Sequence, residues 1–195
     1  MKHSAILIFL MIASITNSKA EIAVFGGGCF WCTEAVFSAL NGVSKVESGY
    51  SGGSIDKPTY QDVSSGQSGH AEVIKITYDP QIITFQELLE VFFLTHDPTT
   101  LNRQGADVGT QYRSAIFYTN PDQKQLALKV IQKLNEEKAY PHPIVTEVSE
   151  LKKYFPAEAY HQNYFDRNEN QPYCKFVIQP KMEKFEKSFK HLIKK

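Results

Sequence analysis

Cysteine is scarce in this chain of 195 residues, which has only three. An odd number excludes a disulfide framework in which every sulfur is paired, and leaves at least one thiol for chemistry. A dominant sign of charge is also missing: 21 basic side chains balance 21 acidic ones, for a formal net charge of +0. With no basic cluster ahead of the C-terminal segment, nothing points to nucleic-acid or acidic-membrane binding. Internal repeats, low-complexity stretches and linker-like segments are absent, so a solenoid or a second domain is not expected. The apolar run Ala5 to Ile15 is well short of the about 20 residues that span a bilayer.

That short run has another reading. Lys2 and His3 precede it, and Ser18-Lys19-Ala20 ends it in a small-x-small pattern, which predicts a secretory signal over residues 1–20 cleaved before Glu21. The expected product is exported, periplasmic or secreted, with residues 21–195 as a single catalytic domain, large enough to bury a real core. Along it, Ile22 to Phe25 reads as a strand, Cys29 to Leu40 as a helix, and Val43 to Tyr50 and His70 to Tyr78 as strands. Thr84 to Thr95 is a helix with a Thr84/Glu87 capping box and an Ile83/Leu88 staple. Ser114 to Thr119 is a strand, and Asn120-Pro121 opens a helix to about Lys138. Pro156 to Phe165 and Lys181 to Ile193 are read as the last helices, and His96 to Arg113 as a long polar loop of the kind that carries function. The pattern predicts an α+β two-layer sandwich: a mixed sheet with a ferredoxin-like core, flanked by helices, and a C-terminal extension.

The chemistry concentrates in Gly26-Gly27-Gly28-Cys29-Phe30-Trp31-Cys32. A cysteine at a helix start sits beside unpaired N–H groups and the positive end of the helix dipole, which favour thiolate. The glycines resemble a phosphate loop, but Trp31 stands where the dinucleotide fingerprint needs glycine, and no Walker lysine follows. Cys29 and Cys32 form a C-x-x-C, open either to a redox couple or to a buried pair of small side chains. Phe30 and Trp31 build an apolar wall beside the nucleophile, suited to a methyl group and not to a charge. In the strand from His70, period two puts Glu72 on the face of Ile74, Ile76 and Tyr78, so its carboxyl points inward, where burial raises its pKa and makes it a proton donor. Tyr60, Tyr112 and Asp107 lie in or beside glycine-containing loops, where packing or capping roles compete with chemical ones. His70-Ala71-Glu72 with a C-x-x-C invites comparison with zinc deaminases, but the order is reversed and no proline precedes the first cysteine. No metal or cofactor is expected.

Gly27-Gly28-Cys29-Phe30-Trp31 followed by Glu34, Ser48-Gly49-Tyr50, Tyr60, Gly69-His70-Ala71-Glu72-Val73, the loop from His96 to Ser114, Ala157-Glu158-Ala159-Tyr160-His161-Gln162 and Gln171-Pro172-Tyr173-Cys174 together resemble the A-type peptide-methionine sulfoxide reductases. The resemblance covers nearly all of residues 21–195. It implies reduction of the S epimer of methionine sulfoxide, free or in proteins, with Cys29 as the nucleophile and Glu72 as the acid on the sulfoxide oxygen. Tyr60 and Tyr112 would assist by hydrogen bonding, Asp107 would help hold the site, and Phe30 and Trp31 would take the S-methyl group. Cys174 has the family position of the resolving thiol, and Cys32 competes with it. A thioredoxin-like donor would reduce the resulting disulfide, and the protein is expected to be a monomer. A generic dithiol–disulfide oxidoreductase using Cys29 and Cys32, and a non-catalytic peptide-binding module, are the alternatives.

Overall fold

The computed structural model describes residues 19–194, so most of the expected signal segment lies outside the described residues. A six-stranded sheet carries the structure in the order β7-β6-β1-β3-β2-β8. Its strands are β1 (Glu21–Gly27), β2 (Val43–Ser51), β3 (Ala71–Tyr78), β6 (Ser114–Tyr118), β7 (Glu147–Glu150) and β8 (Tyr154–Pro156). Every neighbouring pair is antiparallel except β6 with β7, which makes the sheet mixed. The four inner strands, with helices α1 (Phe30–Ser38) and α3 (Phe85–Thr95), are the ferredoxin-like core expected from the alternation of elements. A short helix α2 (Tyr60–Ser64) precedes β3, and a small hairpin of β4 (Arg103–Gln104) and β5 (Asp107–Val108) lies within the long polar loop.

Period two sorts the strands into two faces. Ala23, Phe25, Ile74, Ile76 and Tyr78 pack in one cluster with Val36 and Phe37 of α1 and Leu88, Leu89 and Phe92 of α3. The same layer includes Ala127 of α4 (Pro121–Glu136) and Phe185 of α6 (Gln179–Ser188). Val24, Ala71, Val73, Ala115 and Phe117 face the other way, against Leu151 and Tyr154. The capping box forms as read: Thr84 Oγ1 accepts from the Glu87 N–H at 3.2 Å, and Glu87 Oε2 accepts from the Thr84 N–H at 2.7 Å. Asn120 caps α4, with Pro121 at its start.

The C-terminal third departs from the reading. Pro156 to Phe165 is not one helix: Pro156 ends edge strand β8, Ala159–His161 is a single 3-10 turn, and only α5 (Tyr164–Arg167) is helical. Asn163 breaks the run in the left-handed region at φ 50. The last helix begins earlier than Lys181, in a π-helical turn Cys174–Ile178 that leads into α6, and it ends at Ser188. Strand β7 had no alternating pattern to betray it; all four of its residues are at least partly exposed.

Candidate active site

Strand β1 delivers the thiol. Its last residues, Gly26 and Gly27, pair with β6, and Gly28 turns the chain at φ 88 into α1. A Cβ on Gly28 would lie 2.6 Å from Gln104 Cγ, so both space and backbone demand glycine. Cys29 is the N-cap of α1, and Phe30, Trp31 and Cys32 form its first turn.

Here the thiolate expectation gives way. Cys29 is only 8% exposed, and burial, with the contact to Cys32 and the charge of Glu72 adding to it, pushes its thiol well above the ordinary 9.0. A helix terminus contributes about 0.3–1 kcal/mol, less than the desolvation of a buried anion, which moves a pKa by up to several units. The contact with Cys29 lowers Cys32 to about 7 against the opposing effect of burial. Cys32 is thus the more readily ionised of the two. Tyr173 Oη lies 3.8 Å from Cys32 Sγ and donates to Asp107 Oδ2 at 3.1 Å. Cys174, fully buried, packs in one cluster with Cys29, Cys32 and Ile178, and all three thiols are free.

Glu72 sits near the start of β3, buried as the periodicity predicts. The Phe30 N–H donates to its Oε2 at 3.0 Å. Burial pushes this carboxyl up to about 8; the Phe30 bond opposes that shift and the charge of Asp107 adds to it. Tyr60 opens α2 and Tyr112 closes the 3-10 turn Thr110–Tyr112. Burial and the charges of Glu72 and Cys29 raise both phenols, Tyr60 to about 12. They remain hydrogen-bond donors throughout the neutral range. Asp107 holds Tyr173 over the sulfurs. Glu72, Tyr60, Tyr112, Asp107 and the Cys29–Cys32 pair therefore lie within electrostatic reach of one another, and Cys174 packs in the same cluster as the other two thiols.

Around them stands an aromatic box. Phe30 packs on Tyr50 and His161, with ring centroids 5.9 and 5.0 Å apart. Trp31 lies flat on Tyr164, centroids 3.6 Å apart and planes 7° apart, and its Nε1–H donates to His161 Nδ1 at 3.1 Å. That bond fixes the histidine proton on Nε2, and burial lowers the His161 pKa so that the ring stays neutral. Glu158 ties the frame together, accepting from Tyr50 Oη at 2.9 Å and from the Tyr60 N–H at 2.8 Å. The zinc-deaminase comparison fails on His70, whose ring is held by backbone: the Gly53 N–H donates to Nδ1 at 3.0 Å, and Nε2 donates to Ile55 O at 2.8 Å.

Residues 21–193 match the family model described as peptide methionine sulfoxide reductase. The chain belongs to this family. Peptide methionine sulfoxide reductase MsrA of Chromobacterium violaceum is 55% identical over 173 residues, which is 89% of this chain and 98% of that protein. Among solved structures, Mxr1 from Saccharomyces cerevisiae in reduced form aligns with a TM-score of 0.75 at 34% identity, over 81% of this chain and 91% of that one. Mxr1 in complex with Trx2 aligns with a TM-score of 0.53 at 25% identity, over 76% and 86%. The fold class and the oxidoreductase activity on methionine sulfoxide follow from this membership.

In this sulfoxide reductase, sequence reasoning assigned no role to His161, Tyr164, Tyr173 or Glu158. Three of them fall in the segment mistaken for one helix. The usable signal was the density of aromatic side chains from Tyr160 to Tyr173 in a stretch otherwise rich in Asn, Glu and Gln.

Proposed function

We propose that the chain reduces the S epimer of methionine sulfoxide, in proteins and as the free amino acid, with Cys29 as nucleophile and Glu72 as acid. The observation that carries this is a buried carboxyl, its pKa raised by that burial, held by the N–H of Phe30, the residue next to the thiol. The sulfoxide S=O is a poor electrophile until its oxygen gains a proton. Glu72 supplies that proton while Tyr60 and Tyr112 donate hydrogen bonds to the same oxygen. The S-methyl group rests against Phe30 and Trp31. Cys29 sulfur attacks the sulfoxide sulfur, its proton passing to the Glu72 carboxylate. The hydroxyl is transferred to Cys29: a new S–O bond forms there as the substrate's S–O bond and the transient S–S bond break, so methionine leaves and Cys29 is left as a sulfenic acid. The substrate sulfur gains two electrons and Cys29 loses two.

Recovery needs a second thiol. Cys32, packed beside Cys29 and ionised more readily, attacks Cys29 and releases water as the disulfide forms. Cys174, in the same cluster, then attacks Cys32 and frees Cys29, so that both candidate thiols take part. A thioredoxin-like dithiol reduces the last disulfide; the complex of Mxr1 with Trx2 supports a donor of that class. The burial of Cys29 and Cys32 speaks against a generic disulfide exchanger, which must present a sulfur to its partner. We further propose that the mature protein is a monomer of residues 21–195, exported after removal of the leader. The basic start, the short apolar run and the small-x-small pattern before Glu21 support the leader.

The test uses the mature protein, a dithiol reductant and each epimer of methionine sulfoxide separately. Turnover of the S epimer alone, abolished in Cys29→Ser, is expected; turnover of neither epimer would sink the reading.

A further inference from the structure

Glu34 has no part in the steps above, yet it is a carboxylic acid buried beside the site, only 2% exposed. It lies on α1 one turn after Trp31, so both side chains leave the same face of the helix. They reach the same segment. Trp31 stacks on the ring of Tyr164, and Glu34 Oε2 accepts a hydrogen bond from the backbone N–H of Tyr164 at 3.3 Å. The backbone N–H of Asn163 is directed at the same carboxylate. Asn163 is in the left-handed region, φ 50 and ψ 43, a conformation that costs an L-residue about 1 kcal/mol and persists only where surrounding contacts impose it.

Stability alone does not account for an acid there. Glu34 Oε1 and the neighbouring Ser48 Oγ are buried with no partner but each other, and taking a carboxyl out of water carries a desolvation cost. An apolar side chain of the same size would avoid that cost, but it would leave the N–H groups of the turn without an acceptor. Tyr164 also packs against the cluster that contains Cys29, so its placement bears on the apolar wall beside the thiol.

We propose that Glu34 is a positioning residue for substrate binding: by holding the Asn163-Tyr164 turn, it keeps the Tyr164 ring flat on Trp31 and so sets the width of the pocket that takes the sulfoxide's methyl group. This rests on the assignment of Phe30 and Trp31 to that pocket. Glu34 touches neither thiol nor acid, and its effect is on binding, not on the chemical step.

The chain has one tryptophan, and it is the reporter. In Glu34→Ala the emission maximum of Trp31 moves to longer wavelength and quenching by acrylamide increases. KM for the S epimer rises roughly tenfold, the scale of one lost hydrogen bond, while kcat changes by less than about twofold on the same reasoning. Glu34→Met fills the same space without an acceptor and must behave like Glu34→Ala, which guards against a folding defect of the smaller side chain. Glu34→Gln keeps an acceptor oxygen and recovers most of both signals. In a Tyr164→Leu background, Glu34→Met adds nothing further to KM. The proposal is overturned if folded Glu34→Met leaves Trp31 emission and KM unchanged, if Glu34→Gln is no better than Glu34→Met, or if the two substitutions add in full. Emission is read without substrate, so it tests the hold of Glu34 on the Tyr164–Trp31 stack even if turnover of the S epimer were absent.

Discussion

Glu72 keeps its proton to about pH 8 because burial disfavours the anion more than the single N–H of Phe30 favours it. Reduction then requires the acid form, so its rate in single turnover falls as pH rises through about 8. In Glu72→Gln that alkaline limb disappears and the rate drops on the order of 100-fold, the usual contribution of a positioned general acid. An unchanged rate would remove Glu72 as the acid. The same shift has a stability side. Between 4.5 and about 8 the folded state holds a proton that the unfolded chain has released, so stability is fully present below 4.5 and erodes as pH rises across that window. The limiting slope is about 1.4 kcal/mol per pH unit. Glu72→Gln has no such loss, and in denaturation experiments its stability relative to the unaltered protein increases from pH 5 to pH 8. Glu72 was legible in the sequence because its period-two neighbours Ile74, Ile76 and Tyr78 mark the core face. The protonation of Cys29 was not, because the residues that bury it, Tyr173, Cys174 and Ile178, arrive from the far end of the chain.

Elements with strong local signals formed where the pattern placed them: α3 between its capping box and Thr95, α4 behind Asn120-Pro121, and β3 with its clean alternation. Elements defined only by tertiary contact were hidden. Strand β8 exists because Gly49, Tyr50 and Ser51 of β2 offer an open edge to Tyr154, Phe155 and Pro156, and nothing in three residues announces that. The contact is close at Gly49, where a Cβ would sit 2.5 Å from Phe155 O and from the Tyr154 ring. That ring cannot swing away, since Tyr154 Oη donates to Glu47 O and Ser48 O at 2.9 and 3.2 Å. Gly49→Ala therefore pushes β8 from the sheet, at about 1–3 kcal/mol, and lowers the melting temperature by several degrees. Glu158 follows two residues after β8 and holds Tyr50 and Tyr60. The same substitution thus raises KM as well, and a variant with the unaltered melting temperature and KM would show β8 to be dispensable.

Across the whole molecule, the site draws on both ends of the described chain, with Cys29 and Cys32 near its start and Cys174 near its end in one buried cluster. Mass spectrometry after one turnover without reductant should find a Cys32–Cys174 disulfide in the unaltered protein, and a Cys29–Cys32 disulfide in Cys174→Ser. If Cys32→Ser forms a Cys29–Cys174 bond as fast as the unaltered protein loses its thiols, Cys32 is a bystander. The topology adds a constraint on the order of events. Strand β1 comes first in the fold but is hydrogen-bonded on both sides, to β3 and to β6, whose pairing residues follow about 50 and 90 positions later. Until Ser114 to Ile116 have been synthesised, the strand leading to Cys29 has a bare edge, and until Tyr173 and Cys174 follow, the thiol lacks its cover. A chain emerging N-terminus first thus carries an unshielded cysteine for most of its synthesis, and it gains selectivity for one kind of oxidised sulfur only when its final sixth is in place.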